Sequence, residues 1–349
     1  MGILKRTTKS ASTVVGLELD PSHIAAAEVS ANGSIAVKRG AVSLLGAGVL
    51  RDGEATDPAA LAEALREFFA DNELPPRVRL GIANQRIVVR TLDLPVVHDE
   101  HELGELVRSE APDHIPMPMD EAVLDFQTIG QVDTPAGPRT RVLVVAVRRE
   151  MVERLHAACE AAGLDVEGID LSAFAMVRAL RQPADAGATL FVSVAGLVNV
   201  AVANDAGCLF TRAAAGGLET IAASLAERRG LTLEHAHQWM RHVGLSVQLD
   251  AVDGEVELVA AARTALEEGV HQLADTIRNS LNFYRTQAGA ESVDHGVVTG
   301  PAIAIPGFVE RLSQQLRLPL EPAVLPVADG VESSARLAVA AGLGVEERV

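Results

Sequence analysis

Apolar positions alternate with polar or small ones over Thr13–Glu18, Ile24–Ser30 and Ser34–Ser43, the period that sends successive side chains to opposite sheet faces. Asp20-Pro21-Ser22 separates the first two runs; proline fixes φ there and aspartate caps its own backbone. Asn32-Gly33, a hairpin signature, separates the next two. The chain therefore opens strand–turn–strand–turn–strand. Asp57-Pro58 then reads as N-cap and first helical residue, and Leu61, Leu65, Phe68 and Phe69 recur at helical spacing up to Asp71. The same order returns later: Thr189–Val194, a turn at Ala195-Gly196, Val198–Asn204, a turn at Asp205-Ala206-Gly207, Cys208–Ala214, then a helix from about Gly217. The offset is about 176 positions, Thr13 against Thr189. A repeat this long means two related halves, since solenoid periods are far shorter.

Between the halves the pattern changes. Arg77–Leu94 is strand-like and Asp99–Glu110 is an acidic helix with Leu103, Leu106 and Val107 on one face. Pro112, Pro116 and Pro118 then break the pattern. Val123–Gly130 and Arg141–Val147 are strands around a Pro/Gly loop, and Arg148–Ala162 is a helix ended by Gly163. This run predicts an inserted α+β subdomain. Leu164–Asp170 is again a strand, Ala173–Arg181 a helix, and Gln182–Gly187 a linker. The second half carries helices over Gly217–Arg229, Leu233–Val243 and Glu255–Gln287. Asp294–Thr299 is a strand, followed by helices at Phe308–Arg317 and Val331–Leu343.

Composition narrows the possibilities. The 349 residues carry 30 basic and 47 acidic side chains, a net charge of −17, which excludes general nucleic-acid binding because that needs cationic surface. Lys5, Arg6 and Lys9 form one small basic patch. The two cysteines, Cys159 and Cys208, cannot build a disulfide framework and fit a reducing cytosol. The longest apolar stretch, Ala188–Ala203, holds Ser193 and Asn199 and falls short of the roughly 20 residues a bilayer requires. Membrane attachment is therefore expected only through partners.

Isolated polar groups carry little chemistry by themselves. His98-Asp99-Glu100-His101 reads as a helix N-terminus rather than a metal site. His235, His237 and His242 lack the i, i+4 spacing of a zinc helix, and Trp239 reads as core or interface. Ser193 has no G-x-S-x-G elbow. Glu105, Glu110, Asp113, Asp120 and Glu121 read as solvated surface.

Larger patterns are more specific. Residues 107–130 (VRSEAPDHIPMPMDEAVLDFQTIG) and 142–180 (VLVVAVRREMVERLHAACEAAGLDVEGIDLSAFAMVRAL) resemble the PilM family, the actin-like proteins of type IV pilus assembly. CLFTRAAAGG and VVTGPAIAIPGFVERLSQQLRLPLEPA extend the likeness to about residues 14–345. The resemblance implies an actin-like α/β fold: two related RNase H-like halves with an inserted small α+β subdomain. It divides the chain into a flexible leader (1–12) and a subdomain 1A (13–85, completed by 163–185 and 331–345). The insert 1C is 86–162, subdomain 2A is 186–215 plus 291–330, and a helical 2B is 216–290.

In that superfamily two β-turns clamp the phosphates of Mg-ATP. The corresponding residues here are Gly16, Glu18, Asp20, Ser22 and His23 in the first turn region and Ser193 and Gly196 in the second. Gly216, Gly217 and Met240 follow in the helical part, and Gly300 and Gly307 border the adenosine loop. Several depart from the family pattern. Glu18 stands for a magnesium-binding Asp, Asp20 for a glycine, Ala25 for a lysine, Ser193 for an Asp, and a Thr hydroxyl is lost near Val198. Pro301 removes a donor, and Met240 stands near a lysine position. Each lost contact to a charged phosphate is worth roughly 1.5–3 kcal/mol, so ATP and magnesium are expected to bind weakly or not at all, without useful hydrolysis.

The family also receives the short N-terminal tail of the membrane protein PilN between subdomains 1A and 1C. The expected groove residues are Arg86, Val88, Arg90, Ile115, Met117, Asp125 and Gln127, since apolar pockets anchor such a tail and charge sets its register. The function this implies is a non-enzymatic cytoplasmic scaffold at the inner membrane, touching PilN and other platform and motor components. The rivals are an ATP-using enzyme or switch of the same superfamily, a membrane-anchored filament protein, and the cytoplasmic part of a type II secretion platform. Each lacks one feature in this sequence: a phosphate-turn Asp, an amphipathic tail, or a following membrane span.

Overall fold

In the computed structural model β1 (Val15–Asp20) is buried along its whole length at the centre of a five-stranded sheet. Residues 14–31, 35–97, 99–135, 137–182, 187–287, 289–328 and 334–345 are described. The expected leader, the Asn32-Gly33 turn, His98, most of the 182–187 linker and residues 331–333 lie outside them. β1 pairs antiparallel with β2 (His23–Ala31), and β2 with β3 (Ile35–Leu44). The short hairpin β4 (Leu50–Arg51) and β5 (Glu54–Ala55) leads to α1 (Pro58–Asp71). Asp57 caps that helix, its Oδ1 accepting from Ala60 N at 3.0 Å. β6 (Arg77–Ile82) lies parallel to β1.

The insert follows as β7 (Val88–Pro95), α2 (Glu100–His114), β8 (Ala122–Thr134) and β9 (Gly137–Arg148). Its strands form an antiparallel sheet in the order β7-β9-β8. Leu92, Leu103, Val107, Ile115, Val142 and Val144 make its own small core. The chain returns through α3 (Arg149–Ala161) to β10 (Asp165–Leu171), parallel to β6, and α4 (Ser172–Leu180).

The second half repeats the plan. β11 (Ala188–Val194), β12 (Val198–Asn204) and β13 (Gly207–Ala214) form an antiparallel run, and α5 (Leu218–Arg229), α6 (Leu233–Val243) and the 30-residue α7 (Val256–Arg285) pack on it. β14 (Val293–Thr299), α8 (Phe308–Leu316) and β15 (Leu320–Pro322) complete the sheet. The orders β3-β2-β1-β6-β10 and β13-β12-β11-β14-β15 match strand for strand, in pairing sense as well as sequence. The internal repeat is thus one sheet topology used twice.

Each sheet buries both faces. Leu17, Ile24 and Leu80 face α1 and α3, and Leu190, Val192 and Val200 face the helices of the second half. The opposite faces meet a shared seam, in which α4 and α9 (Ala338–Leu343) lie between the sheets with Ala25, Ala27, Phe191 and Ala201.

Four elements differ from expectation, one being the last helix, expected over Val331–Leu343, whose described part is a 3-10 turn at Ser334–Arg336 followed by α9 from Ala338. Arg77–Leu94 divides into β6 and β7, because Asn84 turns the chain: its Oδ1 accepts from Arg86 N at 2.7 Å and its Nδ2 donates to Asp52 O at 2.7 Å. α2 continues through Pro112, which removes one donor, because Val107, Ala111 and Ile115 are buried in the insert core and hold the last turn there. α3, expected within the insert, buries Met151, Leu155, Ala158 and Cys159 in the core of the first half.

Candidate functional site

The turns that close the β1–β2 and β11–β12 hairpins meet face to face. Asp20 ends β1, Pro21 forces the turn, and the Asp20 carboxylate points across to the other half. Gly196 N donates to Asp20 Oδ1 at 2.9 Å and Leu197 N to Oδ2 at 3.1 Å. Ser22 N donates to Oδ1 at 2.9 Å, and the Ser22 hydroxyl donates to it as well. A Cβ at Gly196 would lie 2.4 Å from Oδ1, so only glycine allows this approach.

Burial governs the neighbouring charges. Glu18 and His23 are 5% and 2% exposed. Burial pushes the Glu18 carboxyl up to about 7; His23 opposes this and Asp20 adds to it. Burial alone would raise Asp20, but the hydrogen bond and charge of His23 and the donors of Ser22 outweigh it and hold it below the usual carboxylate range. Burial would lower His23, yet the bond to Asp20 and the charges of Asp20 and Glu18 raise it. His23 Nδ1 sits 2.9 Å from Ser22 Oγ, while Nε2 has no hydrogen-bond partner among the described residues and lies 4.0 Å from Glu18 Oε2. Ser193, Gly300, Pro301 and Arg336 also line this space, with Ala195, Thr299 and residues 335, 338 and 339. The space they enclose has no room for a water-sized sphere (≈ 0 Å³).

A second site is open. A cavity of about 470 Å³ lies between the insert sheet and the first half. Val123, Asp125 and Gln127 reach it from β8 at a period of two, Leu143 and Val145 from β9, Ile169 and Leu171 from β10, and Phe174 from α4. The wall is apolar with a charged margin. Asp170 is paired with Arg178 at 2.7 Å, and Arg79 donates to Leu343 O at 3.2 Å. Asp125 accepts only from Phe126 N among the described residues. β8 and β10 each hydrogen-bond on one side only, so both present free edges.

The family model described as Type IV pilus assembly protein PilM matches residues 16–338. The chain belongs to the PilM family. A structure described as the PilM-PilN type IV pilus biogenesis complex is similar at 26% identity, with a TM-score of 0.78 over 95% of this chain and 97% of that one. Two others share the fold. The ethanolamine utilization protein EutJ from Carboxydothermus hydrogenoformans has 16% identity, a TM-score of 0.51, and coverage of 95% of this chain and 88% of its own. MreB5 of Spiroplasma citri bound to ADP has 12% identity, a TM-score of 0.54, and coverage of 94% of both chains. The actin-like α/β architecture implied by the sequence is therefore the fold of this PilM-family chain.

Not every expected site residue reaches its site. Glu18, Asp20, Ser22, His23, Ser193, Gly196 and Gly300 gather at the cleft between the halves. Gly217 packs against the second turn, and Leu218 N donates to Ala195 O at 2.7 Å. Gly216 adopts a positive φ just before it. Gly16 lies under α9, where a Cβ would meet Ala340 O at 1.8 Å, and Gly307 packs against Leu245 and Ser246. Met240 is fully buried in the core of the second half and faces no cleft, because α6 turns that side chain toward α5 and α7.

Of the seven expected groove residues, Asp125 and Gln127 line the open cavity. Ile115 belongs to the insert core, and Val88 and Met117 pack against it. Arg86 pairs with Glu54 at 3.0 Å. Arg90 borders a different cavity, of about 300 Å³, between the insert and the second half. Sequence patterns missed Arg336 at the cleft and the β10 wall of the groove. Phe174 of α4, which lines the groove beside β10, is one of eight phenylalanines and gave no distinct signal.

The smaller polar candidates have structural roles. Asp99 caps α2, its Oδ1 accepting from Glu102 N at 2.9 Å. His237 bonds Glu219 at 2.8 Å, and His242 Nε2 donates to Asp253 O at 2.7 Å. No helix among the described residues is long and apolar enough to cross a membrane.

Proposed function

We propose that this PilM-family protein is a scaffold of the type IV pilus platform at the inner face of the membrane. It receives the short N-terminal tail of a PilN-like partner in the groove between the insert and the first half. The carrying observation is the 470 Å³ groove, apolar along its walls, in which Asp125 makes no ion pair among the described residues. An apolar tail bearing an arginine complements both features, and the free edges of β8 and β10 offer backbone partners to an extended chain. The PilM-PilN complex similar to this chain supports the choice of partner. Membrane contact then comes through that partner.

The same reading assigns the cleft no hydrolytic role. A drug-sized ligand needs roughly 300 Å³ or more, while the space between Glu18, His23, Ser193 and Gly300 has no room for a water-sized sphere and a carboxylate stands between the turns. Titration of the partner's tail peptide should give micromolar binding. Gly168→Phe should weaken it at least ten-fold without lowering Tm: a Cβ there meets nothing closer than Arg79 Nε at 3.8 Å, and the added ring points into the groove. Mg-ATP should give no heat up to millimolar concentration. An unchanged peptide affinity in Gly168→Phe would overturn the groove, and micromolar ATP binding would overturn the silent cleft.

A further inference from the structure

Four donors converge on one carboxylate at the cleft: Ser22 N, Ser22 Oγ, Gly196 N and Leu197 N. Two of them come from the other half of the chain, 176 and 177 residues away. Asp20 is 4% exposed and the two bonds from the other half are buried, so these two do not compete with bulk water. Successive backbone N–H groups in a turn form a concavity that binds anions, and a charged acceptor makes such bonds short and strong. Here the anion is a side chain of the opposite half. His23 lies beside it, with Nδ1 3.5 Å from Oδ1, so protonated imidazole adds attraction at the same point.

We propose that Asp20 is a built-in ligand of the β11–β12 turn: it fills a site shaped for a tetrahedral oxyanion such as inorganic phosphate, and so latches the two halves shut with no bound molecule. The latch deepens the reading of the cleft as silent. A free anion would have to displace a tethered one that is always present. Removing the carboxylate both loosens the halves and vacates the site.

Amide hydrogen exchange at Gly196 and Leu197 tests this directly in the full chain. In Asp20→Asn both amides should exchange at least ten-fold faster, while Phe191 and Val192, in the middle of β11, keep their protection. In Asp20→Gly, millimolar sodium phosphate should restore protection at Gly196 and Leu197; in the unaltered protein it should change nothing. Unchanged exchange in Asp20→Asn, or equal phosphate protection of the unaltered protein, would overturn the latch. Should both variants fail to fold, the Asp20 carboxyl ¹³C signal of the unaltered protein decides. It should keep its ionised position down to about pH 4, the ordinary aspartate range, and a shift at that ordinary value would overturn the proposal. The outcomes separate from those of the function: ATP uptake by the unaltered protein ends the silent cleft, whereas unchanged exchange in Asp20→Asn ends only the latch.

Discussion

The cleft between the halves is closed by polar contacts, and the groove beside the insert stands open with apolar walls. Their origins explain the contrast. The cleft walls are two copies of one strand–turn–strand unit. Repetition brings like groups together, so backbone N–H groups face the same point from both sides, and only an anion satisfies them. Asp20 supplies it. The groove walls are unlike surfaces, one face of the insert sheet against the edge of the first sheet. Among the described residues no buried side-chain nitrogen or oxygen there lacks a partner, so the space remains available.

The largest way to break this comparison lies beneath the cleft. Phe191 is fully buried in the seam between the two sheets, against α4 and α9. Phe191→Ala should cost about 3–5 kcal/mol in urea unfolding, the range for emptying a large aromatic site. Tail binding to the folded fraction should stay unchanged, because Phe191 is not among the residues that line the groove. A loss below about 1 kcal/mol would mean that the halves are held by the polar latch and not by the dry seam.

How much of this was legible follows from the range of the interactions involved. Alternation and turn residues revealed β1–β3 and β11–β13, because strand period and turn chemistry are local. Asp20 stood out as a carboxylate in a turn where the family keeps a glycine. That it bonds Gly196 and Leu197 was hidden, since the contact spans 176 residues. α3 has the same amphipathic pattern whether it packs on the insert or the first half, so its allegiance was invisible. Arg86 precedes β7 and is drawn to Glu54, and Arg90 borders the cavity against the second half, so neither joins Asp125 in the groove. Asp125 and Gln127 were legible because a period of two on an exposed strand puts both on one face.

A pH profile sharpens the comparison at intermediate cost. The Glu18 carboxyl, pushed up to about 7 by burial, keeps in the folded state a proton that the unfolded chain releases near 4.5. On its account stability falls as pH rises from about 4.5 to 7. His23 is raised above its ordinary 6.5, so the stability it contributes below that value is lost as pH rises through its folded value. The two act in the same direction. Asp20, held low, acts oppositely and only in acid: its contribution is present above 3.8 and lost as pH falls through its folded value. Glu18→Gln should remove the fall between about pH 4.5 and 7 and exceed the unaltered protein above pH 7 by up to about 3 kcal/mol. Identical profiles would mean that water reaches Glu18 and that the cleft is not sealed.

The smallest effect probes whether the open side is one site or two. Odd-numbered β9 residues share the sheet face turned away from α2. Leu143 and Val145 line the groove, while Arg141 borders the 300 Å³ cavity against the second half. Arg141 grips Asp93 of β7 with Nε–Oδ1 at 2.7 Å and Nη2–Oδ2 at 2.9 Å. The hydrogen bond to Arg141 is the main cause that holds the Asp93 carboxyl below its usual range. The pair is 19% and 34% exposed, so its stabilisation is at most about 1 kcal/mol and should shrink in high salt. Asp93→Asn should therefore lower stability slightly at low ionic strength and leave tail affinity within about two-fold, under 0.5 kcal/mol. Leu143 borders both cavities, so a tail long enough to pass it would meet the Asp93–Arg141 pair at the far end. A ten-fold loss of affinity in Asp93→Asn would then show that the ligand runs the whole face of the insert sheet, and that the open seam extends from the first half to the second.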